Sequence, residues 1–153
     1  MTQKLIHFIT LILLMLITGL FWGTWFSMTR TMETFSIAEF IHIGKNIILN
    51  VANPMKLIMP SCILLMVISI WLYPQKNSMS FYFIVFAFAL LIASLIITVE
   101  IEVPIDNQIK AWTPETAPSD WEVIRTHWEF FHTVRTFTSI ASFSFFAAAL
   151  FKI

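Results

Sequence analysis

Apolar residues fill four long blocks of this chain, at 5–26, 57–73, 81–99 and 130–151, and clusters of polar residues and prolines separate them. Each block is close to the roughly 20 apolar residues that an α-helix needs to cross about 30 Å of hydrocarbon. The pattern therefore predicts four membrane spans. The first block is longer than the roughly 7 to 15 residues of a secretory signal core, and no small-x-small cleavage site follows it. It reads as a retained helix.

Between the spans lie two long segments, 27–56 and 100–120, and one short turn, 74–80. Within the first, Ser36-Ile37-Ala38-Glu39 fits the capping box S-x-x-E, so a further helix is expected from there to just before Pro54. Ser119-Asp120-Trp121-Glu122 fits the same box and starts the last helix near Trp121. Extended to Lys152, that helix reaches roughly 48 Å at about 1.5 Å per residue, so two or three turns stand out of the hydrocarbon or tilt into it. The expected fold is all-α: an integral membrane four-helix bundle in one domain, with an extra outer-face helix between spans 1 and 2.

Composition removes the alternatives. Of 153 residues, 58% are hydrophobic and 12% charged, against about 25% charged in soluble domains, and the mean hydropathy is +0.82. A soluble globule this small could not hide so much apolar surface. Three glycines, one cysteine (Cys62), nine acids and nine bases leave no disulfide scaffold, Gly-rich phosphate cradle, thiolate cluster or nucleic-acid-binding patch. Membrane lipids are the expected surroundings. Gly19 and Gly23 form a GxxxG, which permits close helix approach inside the bundle or in a homo-oligomer.

Charge sorts by side. If both termini share a side with the short turn, that side holds Lys4, Lys76 and Lys152 and all nine acids lie opposite. Orientation follows the Lys/Arg bias of short loops, so the expectation is a bacterial inner-membrane protein with both termini cytoplasmic. Any chemistry then belongs to the outer side.

Two polar stripes emerge at about 100° per residue. On the last helix Trp121, Arg125, Trp128, His132, Arg135 and Ser139 fall within an arc of roughly 80°. Intramembrane ionisable groups are costly and mark functional sites; the alternative is arginines snorkelling beside an aromatic belt. Glu39, His42, Asn46, Asn50 and Asn53 make a similar stripe on the first outer helix, turned toward the last helix or toward interfacial water.

Two Glu-x-x-His pairs, Glu39 with His42 and Glu129 with His132, have the spacing of bundle di-iron sites. Bound iron, copper or haem is thus one reading, with Glu100 or Glu102 as a further carboxylate. The second span adds none, Glu39 suits a cap and Glu129 suits a pair with Arg125, so no metal is favoured. No serine or cysteine lies in a nucleophile motif. His127 points away from His132, and His7 reads as interfacial.

The run Val103-Pro104-Ile105-Asp106-Asn107, then Trp112, Asp120-Trp121, Arg125, Trp128, His132 and Arg135-Thr136, resembles the anthrone oxygenase-like family of small four-span membrane proteins, mostly catalogued as a domain of unknown function. The stretch from Asn50 to Pro54 is similar as well. The resemblance implies a four-helix bundle and, for fungal members, oxygenation of an anthrone to an anthraquinone with no well-established cofactor. The expected substrate is then a hydrophobic, flat aromatic molecule. His132 would be general base, Arg125 and Arg135 would stabilise the anion, Trp121 and Trp128 would stack on the rings, and Asn107 and Asn50 would help hold it. The alternative is a non-enzymatic protein that binds a lipid, quinone or partner helix on the same face.

Overall fold

The computed structural model describes residues 2–151. Five α-helices and one π-helical turn follow in order: α1 Thr2–Met32, α2 Ile37–Leu72, α3 Met79–Ile97, the π turn Thr98–Glu102, α4 Val103–Ala111 and α5 Trp121–Phe151. No strand occurs among the described residues. Four helical stretches are long and apolar enough to cross a membrane: Gln3–Thr29, Ile37–Leu72, Met79–Ala111 and Trp121–Phe151. That is compatible with a multi-pass membrane protein, and four crossings return the chain to the side on which it began. The expected end of the last helix at Lys152 lies outside the described residues.

α5 packs against α3 and α1, and α2 lies beside α1 and α3. Leu14, Ile17, Met66, Ile84, Leu91 and Phe146 are fully buried where these helices meet. Many large apolar side chains, Phe8, Leu57, Trp71 and Phe151 among them, are exposed, which suits a lipid surround in which burying them gains little. Polar contacts then carry more of the helix pairing. Trp25 Nε1 donates to Thr133 Oγ1 at 3.0 Å, Ser142 Oγ to the Ala87 carbonyl at 2.7 Å and Thr18 Oγ1 to the Ser139 carbonyl at 3.2 Å.

The Ser36–Glu39 capping box forms as the sequence predicts: Glu39 N donates to Ser36 Oγ at 3.4 Å and Ser36 N to Glu39 Oε2 at 2.8 Å. The helix it starts does not stop before Pro54. It runs on as α2 through both Pro54 and Pro60 to Leu72. A proline inside a helix loses one backbone bond and crowds the carbonyl four residues back, but α2 is held on both sides of the prolines by its packing against α1 and α3. Continuation is the smaller cost. The stripe of Glu39, His42, Asn46, Asn50 and Asn53 is exposed on this helix and does not face α5.

The third span also continues where an outer segment was expected at 100–120. The π turn and α4 prolong α3 to Ala111, and this carries two acidic residues into the bundle. At the start of α5, backbone bonds from Trp121 N to Pro118 O and from Val123 N to Asp120 O make the turn, in place of the Ser119–Glu122 box. His7 is buried, with its ring stacked on Tyr73 and edge-on to Phe146. At Gly19 and Gly23 an added Cβ would meet nothing within 4 Å, so the GxxxG does not serve packing within the chain.

Candidate functional site

His132 and Arg135 are three residues apart on α5, the spacing that brings two side chains together on one helical face. Both are buried, at 1% and 8% exposure. A buried guanidinium needs partners, and both of its terminal nitrogens have them, while Nε has none. Nη2 donates to Glu102 Oε2 at 3.0 Å and to His132 Nδ1 at 2.7 Å, and Nη1 donates to Thr98 Oγ1 at 3.2 Å. The guanidinium carbon sits 4.4 Å from the centre of the Phe21 ring, in cation–π range.

Glu102 is 1% exposed, and the π turn explains how it reaches this depth. Ser94, Thr98, Glu102 and Asp106 recur at every fourth residue. In an α-helix that spacing drifts by roughly 40° per step, so the last of the four would swing away from the first. The π turn closes i→i+5 bonds and holds more residues per turn, which removes part of the drift. All four then act at the α5 interface: Ser94 Oγ donates to the Arg135 carbonyl at 3.4 Å, Thr98 and Glu102 hold the guanidinium, and Asp106 Oδ1 accepts from Trp128 Nε1 at 3.2 Å.

The contact between Arg135 and His132 fixes a tautomer. A guanidinium offers donors only and stays protonated, so Nδ1 must be the accepting nitrogen and Nε2 carries the proton of a neutral ring. Nε2 is buried and has no hydrogen-bond partner. The Phe21 carbonyl stands on this side, where Thr136 Oγ1 donates to it at 3.4 Å, but it does not meet Nε2 in hydrogen-bonding geometry. Trp128 lies flat on the imidazole, with centroids 4.7 Å apart and planes 7° from parallel.

Thr98, Asp106, Trp128, His132 and Arg135 line a cavity of about 340 Å³, a volume that suits a small organic ligand. Its walls come from α1 (Phe21, Thr24), α2 (Val51, Met55, Met59), α3 with the π turn (Leu95, Val99) and α5. The wall is mostly apolar. Asp106, Trp128, His132, Arg135, Thr98, Thr24 and Lys56 supply its polar atoms.

Of the catalytic and substrate-binding residues expected from the sequence, His132, Arg135 and Trp128 come together here, and Arg125, Trp121, Asn107 and Asn50 do not. Arg125 stands seven residues before His132, about 10 Å along the axis, where Nη1 donates to the Met32 carbonyl at 3.2 Å and Nε lies 3.8 Å from Glu129. Trp121 packs on Phe40 beneath that guanidinium. Asn107 and Asn50 are exposed and neither borders the cavity. Thr98, Glu102, Asp106 and Phe21 complete the site instead. The fourfold spacing was the signal for the first three; nothing in the sequence marked Phe21.

The two Glu-x-x-His pairs do not converge. Glu39 is exposed and bonded within its cap, exposed His42 lies 3.3 Å from Asn46, Glu129 turns to Arg125, and His132 spends Nδ1 on Arg135. No group of three or more His, Cys, Asp or Glu side chains among the described residues is placed to hold a metal ion.

Residues 50–145 match the family described as anthrone oxygenase, a stretch that contains Glu102, Asp106, Trp128, His132 and Arg135. Neither a curated protein nor a solved structure matches the chain.

Proposed function

The chain belongs to the anthrone oxygenase family, and on that premise we propose that its chamber binds a flat aromatic ketone of the anthrone or quinol type and delivers it to dioxygen. The observation that carries this reading is His132 in the wall of an apolar cavity, with a buried Nε2–H that has no partner in hydrogen-bonding geometry. A buried donor without an acceptor costs about 1–3 kcal/mol, and a substrate carbonyl would relieve it. The parallel indole of Trp128 beside it suits a planar ring system.

In this scheme the carbonyl oxygen accepts from Nε2–H, and that bond strengthens as the ketone becomes an enolate. Preorganised donors in a dry site are most effective toward such developing charge. Arg135 keeps the imidazole in the donating tautomer, and Glu102 and Thr98 keep Arg135 in place. The scheme replaces the role of general base that the sequence suggested for His132, because its second nitrogen has no free lone pair. An anthrone C–H is acidic enough for proton removal to precede reaction with dioxygen without metal assistance.

The test is turnover of 1,8-dihydroxyanthrone by the protein purified in mild detergent, with dioxygen uptake and quinone absorbance followed together. One dioxygen consumed per quinone, faster than the spontaneous reaction, is the expected result. Binding of the anthrone or of a quinone with no turnover would favour the non-enzymatic reading, since the same buried donor serves a carbonyl ligand that is merely held. The orientation proposed with it puts both termini in the cytoplasm, supported by Lys4 and Lys76 on one side and the acids on the other; a C-terminal reporter active only outside the cytoplasm would reverse it.

A further inference from the structure

An oxygenation that starts from a C–H bond needs a proton acceptor, and the geometry points to Asp106; this assignment rests on the oxygenase reading above. His132 cannot supply the lone pair, because Nδ1 accepts from Arg135. Glu102 faces the guanidinium from behind the wall and does not border the cavity. Glu129 lies with Arg125, also away from it. Asp106 is the one carboxylate among the described residues that lines the chamber.

Its position relative to the donor is fixed by a single side chain. The edge of the Trp128 indole donates Nε1–H to Asp106 Oδ1 at 3.2 Å, while the face of the same indole lies 4.7 Å from the His132 ring. The carboxylate and the donating imidazole are therefore held apart on one rigid plate. That arrangement fits a fused-ring ketone whose carbonyl and acidic methylene stand at opposite edges of one ring, and it fits poorly a simple ketone whose acidic carbon adjoins the carbonyl.

The step balances with dioxygen as oxidant. The C–H bond breaks, its proton goes to Asp106 and its electron pair moves through the ring onto the oxygen held by Nε2–H. The enolate gives one electron to dioxygen, and the resulting carbon radical and superoxide combine to form a C–O bond. Asp106 returns the proton to the peroxide. Loss of the second proton from that carbon to Asp106, with cleavage of the O–O bond, leaves a new carbonyl and releases hydroxide, which leaves as water with that proton. The methylene is oxidised to a ketone, and dioxygen ends as one ketone oxygen and one water.

The experiment separates proton removal from oxidation. The protein in detergent is mixed with 1,8-dihydroxyanthrone in deuterated buffer without oxygen, and deuterium exchange at the methylene is followed while binding is read from quenching of tryptophan fluorescence. Wild type is expected to accelerate exchange, and Asp106→Asn, which can still accept from Trp128, to bind within threefold of wild type but exchange at least about 100-fold more slowly, the scale of general base catalysis. Asp106→Glu should recover part of the rate. Exchange by a binding-competent Asp106→Asn at the wild-type rate overturns the assignment alone. If Asp106→Asn does not bind, exchange by Asp106→Glu decides: a rate no faster than in buffer removes the assignment. Failure of wild type to bind or exchange the anthrone removes the oxygenase reading and the assignment with it.

Discussion

Arg135 Nη2 donates to His132 Nδ1 across 2.7 Å of buried space, one turn along the same helix. A guanidinium has donors only, so Nδ1 accepts and the remaining N–H of the neutral ring becomes a directed donor. The pair works as a unit only because Glu102 neutralises the guanidinium from α3's continuation at 3.0 Å. A functional group on one helix thus depends on a carboxylate that the π turn aims from another.

That dependence predicts a large loss on cutting the ion pair from one side. Glu102→Ala leaves a buried guanidinium unpaired and is expected to cost about 3–5 kcal/mol. Removing both charges with groups of similar size, in Glu102→Leu with Arg135→Met, should recover most of that stability while turnover stays lost. Unfolding of the three proteins in detergent, followed by circular dichroism, checks this; a single variant as stable as wild type contradicts the buried pair.

Donation and proton removal by His132 make opposite forecasts for one substitution. Glutamine retains an N–H donor, so His132→Gln should keep about a tenth of wild-type turnover. His132→Ala should lose roughly 100- to 1000-fold, the usual effect of deleting a donor to a developing oxyanion. Equal inactivity of the two variants, with binding intact, would restore the general-base role.

Arg125 holds the last carbonyl of α1, where the helix dipole favours a cation. Arg125→Ala is expected to lower stability by about 1.5–3 kcal/mol, the range for a hydrogen bond to a charged group, while turnover by the folded protein stays within twofold. A selective loss of turnover at full stability would place Arg125 in the chemistry after all.

Gly19 and Gly23 face open space on α1. Alanine at both should leave stability unchanged or raise it by up to about 1 kcal/mol each, the helix preference of alanine over glycine. Any loss would have to come from contacts outside this chain, and chemical crosslinking of wild type and variant would reveal it as a change in oligomeric state.

The sequence alone determined the four spans, the all-helical class and the family, because hydrocarbon imposes a length and an apolar content that can be read residue by residue. It also determined that His132, Trp128 and Arg135 share a face, since a single helix has a known period. Arg125 was legible on the same stripe but separates from them along the axis, a distance that angle alone does not report. Which acids meet Arg135 and Trp128 was a tertiary matter: Glu102 and Asp106 read as loop residues until the π turn and α4 carried the third helix past its apolar block. The Asn50 stripe was expected to face the last helix and is exposed instead, because periodicity fixes which residues share a face and never what that face meets. Pro54 shows the remaining limit. Local propensity ends a helix there, and only packing against the surrounding helices makes it cheaper to continue.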